Sequence, residues 1–496
     1  MAQRLTSPDE IKQSIDLSLE WLLVRESGRA FSLRRTEIDV SVDRGKTLFD
    51  FVDETGCRTM RLFSAELEDG QICLEVGSIF GREIEQMRLV SRTPAAEFRL
   101  NVELARLEKA DEIAKLIADA FPKTKFARID LNRENGRLAQ ISTTDELKNQ
   151  IVVVADVTGQ LTHELLLTTS AFLLRELQNR KNKPVSEIWL AAEKRQARLL
   201  RKLRALLGAR EQNRFRIFEI RRTNEPIEFA EMTKLRPGTI WREKAKKIVL
   251  PMSAESSETA RKIIDLAPEK VDVVYSKHGE TLRFHGLPFA RVRRLLGKEK
   301  GWFGVERERR VLDQESWPEL ATLIDELSTQ RTAANEHRRH ALFRAAPEAW
   351  LESILRRNIK LLDANLVLSP LYNQFRTSSD KIDMLAIRKD GRLVIIELKT
   401  SPDRETVFQA ADYWRKIELQ RRHGELQRAG AFGQRKIIDK PALVYVVAPA
   451  LSFHRDFEFY ARMLNREIEL WRFELHEDWR RKIKVVGRAN VKESFR

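Results

Sequence analysis

The chain has 496 residues, a formal net charge of +16 at pH 7 and 42% hydrophobic residues. A chain of this length is too long for one ordinary hydrophobic core, so we expect several domains. The apolar content excludes a disordered chain. Two cysteines exclude a disulfide framework and a cysteine zinc site, and no window is apolar enough for a membrane span. We therefore expect a cytoplasmic protein that does not enter membranes, and the positive charge favours a polyanionic partner such as nucleic acid.

The first 95 residues predict a β-rich N-terminal domain. Apolar residues at helical spacing predict a helix over 8–25. Beyond it the hydrophobic period shortens to that of strands, and turn residues separate the runs at 37–42, 57–62 and 71–76.

Residues 96–222 predict an α/β domain, because helical and strand patterns alternate along them. Its predicted elements are a helix at 108–121, strands at 126–131 and 151–157, a helix at 163–178, a strand at 187–191, a helix at 193–207 and a strand at 215–220.

The helix predicted at 193–207 is strongly basic. Arg195, Arg198, Arg201 and Lys202 lie on it three or four residues apart, opposite an apolar stripe. This pattern fits a face that contacts phosphates, and it fits a solvated helix face equally well. These four residues, together with Arg376 further along the chain, are candidate nucleic-acid contacts.

Residues 223–340 predict a mixed, partly helical connecting region, with a helix at 260–266 and a hairpin at 271–284. Basic residues precede Trp302 and Phe303, a combination that could grip a nucleic-acid strand. We favour the alternative that these two aromatic side chains belong to a core.

Residues 341–496 carry the clearest chemistry. Pro347 opens a predicted helix that holds Glu348 and Glu352, and a strand pattern over 366–375 follows. The stretch IDMLAIRKDGRLVIIELK then predicts a hairpin over 382–399. Further predicted elements are a helix at 404–421, a buried strand at 442–448, a helix at 457–464 and a strand at 468–473.

The predicted hairpin places charged groups on an apolar frame. Alternation along a strand puts Glu397 and Lys399 on one face, and antiparallel pairing can bring Asp383 beside Glu397. Burying two carboxylates and an ammonium is costly without a compensating role, and a divalent metal would supply one.

These residues and this order of elements resemble the PD-(D/E)xK nuclease superfamily, which has the restriction-endonuclease-like fold. The resemblance implies that Asp383, Glu397 and Lys399 are catalytic, and that an acid on the preceding helix, Glu348 or Glu352, completes the site. It covers roughly residues 340–496; residues 1–340 resemble nothing we recognise. The family's motif proline is absent, because Ile382 precedes the aspartate.

Members of the NucS-type and RecB-like branches also carry a glutamine, often with a tyrosine one turn later, on the helix after the lysine. Gln409 and Tyr413 match that spacing. The resemblance implies that Mg²⁺ or Mn²⁺ binds Asp383, Glu397, the Leu398 backbone carbonyl and Glu348, to which we lean over Glu352.

The fold class expected is multidomain α/β and α+β, with a C-terminal restriction-endonuclease-like domain after a β-rich domain and an α/β middle domain. The function expected is a Mg²⁺-dependent DNA endonuclease in DNA repair or anti-phage defence, with residues 1–340 for recognition or regulation. RNA as substrate and a homodimer stay open, as does the alternative of a non-catalytic nucleic-acid-binding or regulatory protein that has a nuclease-like fold.

A fainter pattern lies in residues 126–158. Two strand patterns separated by Asn135-Gly136 echo the C-terminal hairpin, and Thr158 stands where the lysine would be. Two interpretations remain, a degenerate second nuclease-like module and an unrelated α/β domain, and from the sequence we prefer the second.

Overall fold

The computed structural model describes residues 3–26, 29–43, 45–53, 56–68, 70–78, 84–91, 95–132, 136–145, 149–178, 185, 187–221, 227–236, 238–245, 247–248, 255–276, 279–295, 298–305, 309–369 and 383–491. The chain divides into two compact units. The first comprises Met1–Thr162, Gln178–Arg195 and Ile217–Glu231, and the second comprises His163–Leu177, Gln196–Arg216 and Met232–Arg496.

An antiparallel sheet occupies the N-terminal part of the first unit, in the strand order β3-β2-β8-β7-β6-β5-β4 with β1 beside β6. Its elements are β1 (Gln3–Leu5), α1 (Pro8–Asp16), β2 (Glu20–Arg25), β3 (Ala30–Arg34), β4 (Ile38–Asp43), β5 (Lys46–Asp53), β6 (Gly56–Glu68), β7 (Gln71–Gly77) and β8 (Ile84–Ser91). The three strand patterns expected from the sequence all fall on strands of this sheet.

The helix expected over 8–25 is wrong in its second half. Helix α1 ends at Asp16, and Glu20–Arg25 is a strand paired with both β3 and β8. Trp21 and Leu23 are buried, whereas Glu20 is exposed and Leu22 is half-buried, so burial alternates with a period of two. A short apolar run is compatible with the period of a helix and with that of a strand. Here the segment pairs with a neighbouring strand on each side, and so it forms a strand.

A mixed sheet follows in the order β14-β13-β12-β11-β10-β9. Its elements and their connecting helices are α2 (Ala95–Ala120), β9 (Lys125–Leu131), β10 (Leu138–Thr144), β11 (Gln150–Asp156), α3 (His163–Gln178), β12 (Ile188–Glu193), α4 (Lys194–Arg204), α5 (Ala209–Gln212), β13 (Phe215–Arg221) and β14 (Glu228–Glu231). The alternation of helices and strands expected for 96–222 is confirmed, although β10 and β14 had no predicted counterpart.

A five-stranded antiparallel sheet, ordered β15-β16-β17-β18-β19, lies in the second unit. Its elements and the helices around it are α6 (Glu258–Asp265), β15 (Val271–Ser276), β16 (Gly279–Phe284), β17 (Leu287–Leu295), β18 (Lys298–Phe303), β19 (Arg310–Leu312), α7 (Trp317–Gln330) and α8 (Ala341–Arg344). Phe303 is buried in this core, as expected from the alternative that we favoured over contact with a nucleic-acid strand. Trp302 beside it stays partly exposed.

The last sheet is ordered β20-β21-β22-β23-β24-β25. Its elements and connecting helices are α9 (Pro347–Arg357), β20 (Leu366–Leu368), β21 (Met384–Arg388), β22 (Leu393–Leu398), α10 (Thr406–Arg422), α11 (Glu425–Arg428), β23 (Leu443–Pro449), α12 (Phe457–Met463), β24 (Glu469–Leu475) and β25 (Val485–Asn490). Strands β20 to β22 are antiparallel neighbours, β22, β23 and β24 run parallel, and β25 returns antiparallel.

Two features place the chemistry in this last sheet. Strands β22 and β23 are fully buried, as expected for parallel strands covered on both faces. The buried Arg331 donates to the carbonyls of His285, Leu342, Ala345 and Ala346, which ties the chain just before α9 to the five-stranded sheet. Among the described residues, no helix is both long and apolar enough to cross a membrane.

Candidate active site

The hairpin β21–β22 brings Asp383 and Glu397 to the same end of the sheet. Met384 pairs with Ile396, so the preceding Asp383 comes opposite Glu397, as the antiparallel hairpin predicts. Asp383 Oδ2 accepts a hydrogen bond of 2.9 Å from the backbone amide of Leu398. This bond fixes the aspartate against the end of β22.

Glu397 is a buried acid, with only 3% of its surface exposed. Burial raises the pKa of Glu397 well above its ordinary value, and the charges of Asp383 and Glu348 raise it further, although Lys399 lowers it. Among the described residues, no group hydrogen-bonds to its Oε2 atom. The fold thus holds an acceptor out of water without satisfying it, which is costly unless another group binds there.

Lys399 lies beside these acids with its ammonium held from three sides. Nζ is 2.8 Å from Asp403 Oδ2 and 3.5 Å from Glu397 Oε1, and it donates a 3.0 Å hydrogen bond to Gln409 Oε1. Burial by itself lowers the pKa of Lys399, but the charges of Glu397 and Asp403 outweigh it and raise the pKa above its usual value. The lysine is therefore a fixed cation at neutral pH and not a proton acceptor.

The two glutamates of α9 have different surroundings. Glu348 lies close enough to the hairpin acids for its charge to act on Glu397 and Lys399. Glu352 is buried, with Oε1 3.1 Å from Arg356 Nε one turn further along the helix. The structure therefore brings Glu348 to the acids and gives Glu352 an arginine partner.

Helix α10 supplies two further polar groups. Gln409 accepts from Lys399, and Tyr413 follows it one turn later on the same face. Burial raises the pKa of Tyr413, and the charges of Glu397 and Asp383 raise it further. The phenol is therefore a neutral donor that lies near both acids.

Asp403 is a contact of the lysine that sequence reasoning missed. Its Oδ1 accepts from the backbone amide of Glu405 at 2.8 Å, while Oδ2 pairs with Lys399. It lies four residues after the lysine in the turn that leads into α10. A Ser-Pro-Asp turn is ordinary helix-start chemistry, so no sequence signal distinguished this aspartate from a cap.

A second unpredicted cluster joins α3 to α10, next to Tyr413 in the sequence. His163, the first residue of α3, has Nδ1 3.0 Å from Glu164 Oε2 and Nε2 3.6 Å from Asp412 Oδ2. Asp412 also pairs with Lys416 at 2.8 Å and with Arg415 at 2.7 Å. Although burial opposes it, Asp412 and Glu164 raise the pKa of His163 to about 9.

The atoms of this trio lie close enough together to hold a metal ion. A bound cation would meet the positive charges of Arg415 and Lys416 beside the same carboxylate. The raised pKa of His163 instead fits a protonated imidazolium between two acids. We therefore interpret the trio as a buried ion pair between α3 and α10.

The candidate phosphate contacts of α4 are only partly available. Arg195 and Arg198 are exposed, whereas Lys202 is half-buried and forms a 2.7 Å ion pair with Glu243. Arg201 is also half-buried, and Arg204 at the end of the same helix is buried and donates to the Phe215 carbonyl at 2.8 Å. Arg376 lies outside the described residues.

The donor set at the hairpin fits a hard divalent cation. Asp383 and Glu397 are adjacent carboxylates, and the second has a buried oxygen to which no described group hydrogen-bonds. The oxygens of Asp383, Glu397 and Glu348 do not all lie within 4.8 Å of one another. Mg²⁺ tolerates this, because it keeps several waters and needs only one or two protein carboxylates.

No protein-family model matches the chain, and no curated protein matches it. A solved structure described as "Structure of EndoMS in apo form" aligns with 45% of this chain and 99% of its own. The identity is 12% and the TM-score 0.18, and a similarity of that size carries no argument about fold or function.

Proposed function

We propose that this chain is a metal-dependent nuclease that hydrolyses phosphodiester bonds of DNA, with Asp383, Glu397 and Lys399 as catalytic residues. One observation carries the proposal. Glu397 is held almost fully out of water beside a second acid and a fixed lysine, with an oxygen to which no described group hydrogen-bonds. Such an arrangement destabilises the protein unless it binds a cation during function.

The residues of the site have different roles in the proposed reaction. Asp383, Glu397, the Leu398 carbonyl and Glu348 would hold Mg²⁺ or Mn²⁺, directly or through water. When bound, the ion polarises the scissile phosphate and makes water a stronger nucleophile. Lys399 stays protonated, so it orients the attacking water and balances the negative charge that develops on the phosphate.

In the hydrolysis the water oxygen bonds to phosphorus, and the bond from phosphorus to one sugar oxygen breaks. The proton that the water releases balances the proton that the departing sugar oxygen takes up. Gln409 keeps the lysine ammonium in place through its 3.0 Å hydrogen bond. Tyr413 offers a neutral hydroxyl near the same acids, where it can donate to a phosphate oxygen.

Nucleic acid as the substrate is supported by charge. The chain carries a net charge of +16, and Arg195 and Arg198 project from α4 as exposed cations. We propose residues 341–496 as the restriction-endonuclease-like domain, because α9, the three antiparallel strands, α10, β23, α12 and β24 follow in the order that the resemblance implies. Repair and defence against foreign DNA are both compatible roles.

The test is cleavage of supercoiled plasmid, linear duplex, single-stranded DNA and RNA by the purified full chain, with Mg²⁺, Mn²⁺ or a chelator. We expect cleavage with a metal ion, none with the chelator, and a loss of at least about 100-fold in Asp383→Asn. Asp390→Asn is the matched control, because Asp390 is an exposed acid in the turn of the same hairpin.

Equal cleavage by wild type and Asp383→Asn would mean that the activity comes from elsewhere. Binding of nucleic acid without cleavage of any substrate would instead support the non-catalytic alternative.

A further inference from the structure

The chain contains two modules with one topology. The first module is residues 95–231, from α2 to β14, and the second is residues 347–490, from α9 to β25. Leaving aside the four-residue helices α5 and α11 and the short 3-10 helices, the described residues of each module run as helix, three strands, helix, strand, helix, two strands. In space each sheet has its strands in sequence order, so the β-strand neighbours also correspond.

Strand directions agree as well. The first three strands of each module are antiparallel neighbours, the third and fourth run parallel, and the last pair is antiparallel. An antiparallel sheet precedes each module in the chain, β1–β8 before the first and β15–β19 before the second. The structure thus favours the interpretation of residues 126–158 as part of a second nuclease-like module.

The faces of the sheets define which positions correspond. In the second module Ile396 and Leu398 pack in one core with α9, so Glu397 and Lys399 belong to the opposite face. Asp383 stands opposite Glu397 across the hairpin.

The same alternation holds in the first module. Ala155 and Val157 pack in one core with α2, so Asp156 and Thr158 belong to the opposite face. Leu138 pairs with Asp156 across the hairpin. The positions of aspartate, glutamate and lysine in the second module are therefore held by Leu138, Asp156 and Thr158 in the first.

This set cannot perform the same chemistry. The metal-binding aspartate is replaced by an apolar side chain, and the cation is replaced by a neutral hydroxyl. The remaining acid, Asp156, is committed to its own turn, where it accepts from the amides of Thr158, Gly159 and Leu161 at 2.8, 3.1 and 3.0 Å. The oxygen lone pairs that a metal would need already accept hydrogen bonds from backbone amides.

Corresponding segments of the two modules pair with each other within the second compact unit. The residues after α4 and the residues after α12 form an antiparallel bridge between Leu207 and Leu464. The Gly208 amide donates to the Met463 carbonyl at 2.8 Å, and the Asn465 amide donates to the Leu206 carbonyl at 2.7 Å.

Helices α3 and α10, which also correspond, make a reciprocal contact. His163 at the start of α3 lies against Asp412 in α10, and Arg404 just before α10 lies 5.5 Å from the ring of Phe172 in α3. Contacts in which each partner contributes the same element are the mark of a two-fold, isologous interface. Here the two partners are parts of one chain.

We infer that the chain is a fused pair of nuclease modules with a single active site, and that it therefore cuts one strand of a duplex in each binding event. The inference rests on the proposed function. The first module takes the place of a second subunit and supplies a non-catalytic surface. One metal and lysine set hydrolyses one phosphodiester bond, so cutting the second strand requires a new encounter.

The experiment follows the conversion of supercoiled plasmid by wild type with Mg²⁺ or Mn²⁺. Nicked circles should accumulate as the first product, with linear DNA appearing only after a lag. In parallel, light scattering of Asp383→Asn on a short duplex should give the mass of one 57.8 kDa chain per duplex. Linear DNA formed without a nicked intermediate, or two chains on each duplex, would overturn the inference while leaving nuclease activity intact.

Removing one negative charge at corresponding positions distinguishes the roles of the two modules. Glu397→Gln should abolish cleavage, while Asp156→Asn, the corresponding change in the first module, should nick within about twofold of wild type. A folded Asp156→Asn variant, verified by thermal unfolding, that loses cleavage would show a catalytic first module and refute the inference. Absence of cleavage by wild type with either metal would instead refute the proposed function, and this inference with it.

Discussion

Replacing Lys399 by methionine removes the cation from a site that otherwise holds acids. The Lys399 side chain is 13% exposed, and its ammonium lies 2.8 Å from Asp403 and 3.5 Å from Glu397. Removing one partner of a buried ion pair costs roughly 3–5 kcal/mol, because the remaining charge stays in a poorly solvated place. For a domain of about 150 residues this corresponds to a fall in Tm of roughly 6–20 °C in chelator.

The size of this loss should depend on pH and on metal. The pKa of Glu397 is already raised by burial, and loss of the lysine raises it further. The folded state then binds a proton more tightly than the unfolded state, so stability falls as pH rises from about 4.3 through the raised pKa. The destabilisation of Lys399→Met should therefore be small near pH 4 and full at pH 8.

Divalent ions should restore part of the lost stability at pH 8. A metal ion that binds the folded state alone contributes about 2.7 kcal/mol at a concentration of 100 times its Kd. Activity should nevertheless stay at least about 100-fold below wild type, because the ion does not replace the ammonium that orients water and balances the phosphate charge.

The assay is thermal unfolding followed by tryptophan fluorescence, at pH 4 and pH 8, with Mg²⁺ or chelator, alongside plasmid cleavage. Lys389→Met is the control, since Lys389 is exposed in the turn of the same hairpin and its loss should change stability by less than about 0.5 kcal/mol. Identical unfolding and cleavage by the two variants would show that Lys399 has no such electrostatic role.

Two further outcomes follow from other charged groups. The pKa of His163 is raised to about 9, so its pairing with Glu164 and Asp412 should add roughly 3 kcal/mol to the stability of the folded state. This contribution is complete below pH 6.5 and is lost as pH rises through about 9. The stability of His163→Gln should not show this loss in thermal unfolding, and a pH profile equal to that of wild type would contradict the ion pair. Arg195→Gln and Arg198→Gln should each lower the salt dependence of DNA binding by about one phosphate contact, and salt slopes equal to wild type would remove both from the interface.

Local patterns in the sequence were sufficient for the hairpin and its charges. An apolar run interrupted by Lys-Asp-Gly-Arg predicts two paired strands, and a register read from that turn puts Asp383 opposite Glu397, as found. The resemblance also singled out Gln409, which accepts a hydrogen bond from the lysine. These relations depend on short stretches of chain, where strand and helix periods dictate which side chains share a face.

Other relations depended on segments far apart in the chain or on competition between partners. Glu348 and Glu352 share one helix face, and the tertiary structure distinguishes them by the ion pair of Glu352 with Arg356 and by the effect of the Glu348 charge on Glu397. The residues 20–25 fit a helix and a strand equally until their neighbours β3 and β8 are in place. No pattern marked His163 as a partner of Asp412, because the two lie about 250 residues apart.

The sequence by itself thus determined which residues could carry the chemistry, since residue type and spacing limit what a hairpin can present at its end. The tertiary structure decided how those groups are held: it buries Glu397 with an oxygen to which no described group hydrogen-bonds, and it places Asp403 against the lysine. It also showed that the α/β region of residues 95–231 repeats the strand order of the C-terminal sheet. Strand order is set by packing among whole strands and helices, so two regions can share it although the residues at corresponding positions differ in charge.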